Sequence, residues 1–186
     1  MMFKLPKIIV LVGPKNCGKS IAAFILRDRL QCRGADLDSI IEKRTGKSPR
    51  ELYLEGPEVF RHEEAEKLHF VLKKELCTTK ETSLVLATGG GIIDNQAAVD
   101  MLIQFEGAVI ICLELNAETA WRRIEKSGDG LPPFLAEQED PQAAHCALHT
   151  RRTAACKEIA HVTINVDDKQ PNETADAVIE YLKTRN

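Results

Sequence analysis

Lys7 to Ser20 reads KIIVLVGPKNCGKS, and this stretch decides the fold. KIIVLV is a short continuous apolar run, the pattern of a strand buried on both faces, and it empties directly into a glycine loop. Beyond Lys19 the apolar residues Ala22, Ile25, Leu26 and Leu30 recur at helical spacing, with Ile21 and Phe24 widening the stripe, so a helix begins inside the GKS triplet. Gly13 and Gly18 let the backbone N–H groups of the loop, from Lys15 to Ser20, curl around an anion, and the positive end of the following helix points at the same place. Gly13, Pro14, Lys15, Asn16, Cys17, Gly18, Lys19 and Ser20 are therefore the candidate residues for the phosphates of ATP. Lys19 would bring a full charge to the β- and γ-oxygens, and the Ser20 hydroxyl is placed to ligate Mg²⁺. A glycine turn that merely caps a helix is the plainer alternative.

Working outward, apolar runs recur at Leu84–Ala87 before three glycines, at Ala108–Leu115 and at Val162–Val166, each followed by a segment that can be helical. A short strand is expected near Gly34–Asp36. Strands alternating with helices predict an α/β fold, a parallel sheet covered on both faces. Pro49 and Pro57 sit where they can open helices, Ser48 is a candidate cap for the first, and Glu58–Leu76 reads as a longer helix. Ser127–Pro141 is the most loop-like internal stretch. At 186 residues the chain fits one domain, 1–186.

The chain is 44% hydrophobic and 28% charged with a formal net charge of -3, an ordinary globular balance. Its 25 basic residues are scattered among 28 acidic ones, which argues against a nucleic-acid partner. Six cysteines without a CxxC pair read as free thiols of a reducing compartment. No apolar run approaches membrane-spanning length and the N-terminal run is too short for a secretory signal, so a cytoplasmic protein without a membrane partner is expected.

Gly34–Glu42, GADLDSIIE, sets two carboxylates two residues apart at the expected end of the second strand, where ligands collect in a parallel sheet. At strand spacing Asp36 and Asp38 share a face, one free to serve a metal shell and the other to meet an acceptor hydroxyl. Capping of a helix by Asp38, ahead of Ile40 and Ile41, is the alternative.

The ordered set GPKNCGKS, DLD, FRHEE at Phe60–Glu64 and GGG at Gly89–Gly91 resembles the shikimate kinase family over most of the chain. The resemblance implies a three-layer, nucleoside-monophosphate-kinase-like P-loop fold with a five-stranded parallel sheet, flanking helices and a mobile lid at about 128–141. It also implies transfer of the γ-phosphoryl of Mg·ATP to the 3-hydroxyl of shikimate; a monomer is expected. By the same resemblance Lys19 and Asp38 are catalytic, with Asp38 also holding the acceptor hydroxyl, and Asp36 supports Mg²⁺ through water alongside Ser20. Arg61 grips the shikimate carboxylate and Glu64 orients it. Gly89, Gly90 and Gly91 lie against shikimate, Arg123 stacks on adenine, and Arg152, beside Arg151, is a second substrate arginine, with Cys156 where the family has tyrosine. Without the family, Arg61–Glu64 reads equally as a solvated helix pair, Arg152 as an exposed residue and the glycines as a flexible turn.

The family's lid carries an arginine before a proline and an apolar pair; here GLPPFL, Gly130–Leu135, offers Leu131 or Pro132, and neither side chain donates to phosphate. Two rival expectations follow: a nucleotide-binding protein with impaired transfer, or a kinase of the same fold for another hydroxylated acceptor such as gluconate. Pro57 also departs from the family's usual glutamate. Lys15, inside the loop, can compensate for the missing cation or simply face solvent. His145 and His149 share a helical face without a third metal ligand and suit a solvated or packing role. Cys17, beside a helix N-terminus, is a candidate oxidisable thiol whose modification blocks ATP.

Overall fold

β1 (Ile8–Val12) is buried along its whole length and feeds both halves of the core. Ile8, Val10 and Val12 pack on one side of the sheet, and Ile9 and Leu11 on the other. This is the two-faced burial that a continuous apolar run requires, because a strand's side chains alternate across it. Truncating such a side chain to alanine costs about 2–5 kcal/mol.

The computed structural model describes residues 4–77, 83–127 and 131–185. After β1 the elements are α1 (Lys19–Arg29), β2 (Arg33–Asp36), α2 (Leu37–Thr45), α3 (Pro49–Glu55), α4 (Pro57–Cys77) and β3 (Leu84–Ala87). A 3-10 turn (Ile92–Asp94) leads to α5 (Gln96–Gln104), β4 (Ala108–Glu114), α6 (Ala117–Lys126), α7 (Pro133–Ala136), α8 (Pro141–Ile159), β5 (Val162–Asn165) and α9 (Pro171–Thr184). The strands form one five-stranded sheet in the order β2-β3-β1-β4-β5. Every pairing is parallel, with Val10 opposite Leu86 on one side and Ile110 on the other. The α/β expectation and its five-stranded parallel sheet are thus met.

Local chemistry sets the helix boundaries. Ser48 and Glu51 form a reciprocal capping box around Pro49, and Asn95 and Asp140 cap α5 and α8. Pro57 opens α4, giving that departure a structural role. The stretch read as loop after Ser127 contains α7, while residues 128–130 of the expected lid lie outside the described residues.

One expectation is corrected. β2 ends at Asp36 and α2 begins at once, so Asp36 and Asp38 do not share a strand face. The cap of α2 is Asp36, whose Oδ1 accepts from the Ser39 N–H at 3.1 Å, and Asp38 lies in the first helical turn. The physical reason is pairing: β2 has ladder partners only as far as Asp36, opposite Ala87, and the next backbone groups turn into the helix.

Candidate active site

The loop after β1 turns through positive φ at Gly13 (142°), Asn16 (65°) and Gly18 (93°), the kind of backbone path that aims successive N–H groups inward. Gly18 caps α1 with no side chain to satisfy its first-turn donors, which remain available to an anion. Lys19 is buried, and its ammonium donates to the carbonyls of Gly13 (3.0 Å) and Pro14 (2.7 Å). Cys17 is buried beneath it, Sγ 3.6 Å from Nζ, a packed thiol rather than a surface one. From α6, Arg123 Nη1 donates to the Asn16 carbonyl at 2.8 Å. Residues 15–20 of the loop and Arg123 border a cavity of about 900 Å³ that continues to residues 166–171, after β5. The sequence at that point, DDKQ, carries no motif that marks it as part of a site.

Ser20 Oγ donates to Asp36 Oδ2 at 2.5 Å, so the end of the loop and the end of β2 meet. Two hard oxygen donors beside a phosphate cradle suit Mg²⁺, which takes one or two protein oxygens and keeps its waters and phosphates. Among the described residues no three His, Cys, Asp or Glu gather to hold a metal unaided. Asp38 lies deeper. Its Oδ1 has no hydrogen-bond partner, and burial first, then the charges of Asp36 and Glu64, push its carboxyl up to about 6, against the opposing pull of Lys19 and Lys15.

A second cavity, of about 520 Å³, opens on the far side of Asp38 and takes in Arg61, Arg152, Tyr53, Phe60, His145 and His149 among its walls. Three residues, Lys15, Asp38 and Gly90, border both cavities. The chains touch closely at this seam: a Cβ on Gly90 would lie 2.7 Å from the Lys15 backbone N, so only glycine lets the two segments meet. Gly91 also borders the second cavity, as does Pro14, whereas Gly13 and Gly89 border neither.

Arg61 and Glu64 are not a solvated pair. Glu64 is 0% exposed; its Oε2 accepts from Arg61 Nη1 (2.9 Å) and Asn95 Nδ2 (2.9 Å). Breaking such a buried pair by removing one partner costs about 3–5 kcal/mol. Asn95 also donates to the Arg61 carbonyl at 2.8 Å, fixing α4 against the turn that follows the glycines. Next to it stands Asp94, which the sequence reading missed. Its carboxylate pairs with Arg152 (2.6 Å), Arg151 (2.7 Å) and, at 3.6 Å, Arg61. Burial pushes the Asp94 carboxyl up, but Arg151 and Arg152 outweigh it and hold it below its ordinary value. Arg152 is accordingly a part-buried cavity residue, while Arg151 is exposed on the outer side of Asp94.

Over this cavity Pro132 forms part of the wall and the Leu131 carbonyl accepts from Arg50 Nη1 of α3 at 3.2 Å. His145 and His149 are buried, 6% and 5% exposed, with ring centroids 5.5 Å apart and Trp121 5.5 Å from His145. Neither Nε2 has a hydrogen-bond partner. Burial lowers both rings' pKa, that of His149 to about 4. Of the two roles open to them, packing is the one they occupy. No described helix is long and apolar enough to cross a membrane.

A family model described as shikimate kinase matches residues 15–183. Shikimate kinase 1 of Escherichia coli (strain K12 / DH10B) is 32% identical over 177 residues, spanning 95% of this chain and 96% of that protein. The shikimate kinase of Acinetobacter baumannii, solved in complex with shikimate, superposes with a TM-score of 0.83 at 26% identity over 98% of this chain and 95% of that one. The fold is shared as well by the shikimate kinase of Bacteroides thetaiotaomicron, with a TM-score of 0.77 at 23% identity over 95% of this chain and 98% of that one.

Proposed function

The chain belongs to the shikimate kinase family, and from that premise we propose how its own residues carry out the ATP-dependent phosphorylation of shikimate. One observation carries the proposal: the phosphate cavity and the arginine-walled cavity adjoin at Lys15, Asp38 and Gly90. A donor on one side and an acceptor on the other would have their reacting atoms at that seam. Orientation of this kind, with neutralisation of charge on the phosphoryl oxygens, is most of what phosphoryl transfer asks of a protein.

On the donor side, the loop from Gly13 to Ser20 holds the triphosphate, Lys19 meets its β- and γ-oxygens and Arg123 covers the adenine. Ser20 and Asp36 would hold Mg²⁺, which when bound would neutralise charge on the phosphate oxygens. On the acceptor side, Arg61 and Arg152 grip the shikimate carboxylate. Each is already braced by an acid, Arg61 by Glu64 and Arg152 by Asp94, so little side-chain freedom remains to be lost on binding. Gly90 and Gly91 offer backbone against the ring, and Gly89 keeps the turn close to Asp38. Asp38 orients the 3-hydroxyl and accepts its proton. A carboxyl pushed up to about 6 is still mostly ionised near neutrality, yet basic enough to take that proton.

The whole chain acts as one catalytic unit, with residues 131–141 as the described part of its cover. A monomer in the cytoplasm is in keeping with its free cysteines. A coupled ADP-release assay with Mg·ATP, run on shikimate and on a panel of other hydroxylated acids including gluconate, tests the proposal. Turnover with shikimate and not with the others is expected. No shikimate-dependent rate, with ATP still bound, would leave a nucleotide-binding protein without transfer activity.

A further inference from the structure

The stretch Ser127–Thr150 holds no lysine or arginine and carries Asp129, Glu137, Glu139 and Asp140. The segment that walls the acceptor cavity at Pro132 therefore brings no cation to the reaction. The described cations around the seam are mostly committed. Lys19 is bound to two loop carbonyls, Arg123 to Asn16, and Arg61 and Arg152 to acids behind them. Lys15 differs from all of these. Its side chain is exposed, it borders both cavities, and it makes no hydrogen bond or ion pair with any described residue. Its backbone is pinned all the same: a Cβ on Gly90 would lie 2.9 Å from the Lys15 Cα and 3.1 Å from its Cβ. An anchored backbone with an uncommitted ammonium at the junction of donor and acceptor is suited to meet charge that develops only during transfer.

Resting on the functional reading above, we propose that Lys15 is a catalytic cation of this chain, its ammonium meeting the equatorial oxygens of the phosphoryl group in flight. In that step the bond between the γ-phosphorus and the β,γ-bridging oxygen breaks, and ADP leaves with its electron pair. A new bond forms from the acceptor hydroxyl oxygen to the same phosphorus, and the hydroxyl proton passes to Asp38. Lys15 gives and takes no proton; it supplies charge. Because a flexible exposed ammonium adds little to ground-state binding, its contribution falls on kcat rather than on affinity.

The test compares wild type with Lys15→Met and Lys15→Arg by steady-state kinetics and by ADP titration. ADP lacks the γ-phosphoryl, so its affinity reports the rest of the loop. Loss of one charge-stabilising donor predicts a kcat about 10²-fold lower in Lys15→Met. ADP affinity and the KM for shikimate should stay within about 3-fold of wild type, and Lys15→Arg should recover most of the rate. A Lys15→Met kcat within about 3-fold of wild type overturns the inference, as does a fall in ADP affinity that parallels the fall in kcat. Wild-type protein with no shikimate-dependent ADP release overturns the functional reading and the inference together; an active wild type with an unaffected variant overturns the inference alone.

Discussion

Replacing His149 with leucine should make the protein resist acid better than the wild type. His149 is 5% exposed and its Nε2 has no hydrogen-bond partner. Its pKa is lowered to about 4, first by burial and then by His145, against the opposing pull of Asp167 and Glu114. Unfolded, the ring returns to about 6.5. Between these values the unfolded chain binds the proton and the folded chain does not, so stability present above pH 6.5 is lost as pH falls toward 4. The full difference is about 3 kcal/mol, of which about 2 kcal/mol falls between pH 7.5 and pH 5. Asp38 works the other way. Its folded pKa is raised to about 6, so its protonation stabilises the folded state as pH falls through 6, and in the wild type the two effects largely cancel. Urea unfolding followed by the fluorescence of Trp121, the one tryptophan of the chain, gives the stability of wild type and His149→Leu at both pH values. The variant should gain about 2 kcal/mol on the wild type in going from pH 7.5 to pH 5. A difference that moves by less than about 0.5 kcal/mol would refute the reasoning, since a ring that titrates alike in both states contributes no pH dependence.

Other predictions concern catalysis. Asp38→Asn should lower kcat by about 10²–10⁴-fold with ADP affinity retained, measured by ADP release and titration. Arg61→Lys keeps a charge for Glu64 but loses the planar fork, and should raise the KM for shikimate about 10-fold with the fold intact by circular dichroism. Asp94→Asn should raise that KM by a similar factor of about 10 while kcat stays within a few-fold, because it loosens the cavity arginines Arg61 and Arg152 without touching the seam. Leu131→Arg should change kcat little in the wild type but recover much of the rate lost in Lys15→Met, a non-additivity that a double-mutant cycle reads directly.

Legibility in the sequence followed the range of the interactions. KIIVLV and the glycine loop announce their fold because burial on both faces and anion binding at a helix start are written into neighbouring residues. The caps at Ser48 and the two helix-opening prolines are equally local. Asp36 and Asp38 were harder. Which of them caps α2 depends on where β2 runs out of ladder partners, a fact that resides in β3, far along the chain. Asp94 lay beyond reach altogether: a lone acid after two isoleucines, its meaning comes from Arg61 on α4 and Arg152 on α8. The shared helical face of His145 and His149 was visible, but not Trp121 against it, and that contact helps make the face interior.

The seam at Gly90 has one more consequence. Because the two cavities share Lys15, Asp38 and Gly90 as lining among the described residues, a single molecule carrying an adenosine phosphate at one end and a hydroxylated acid at the other could reach into both. Its second half would then bind as if at roughly millimolar local concentration, set by the length and stiffness of the tether between the two halves.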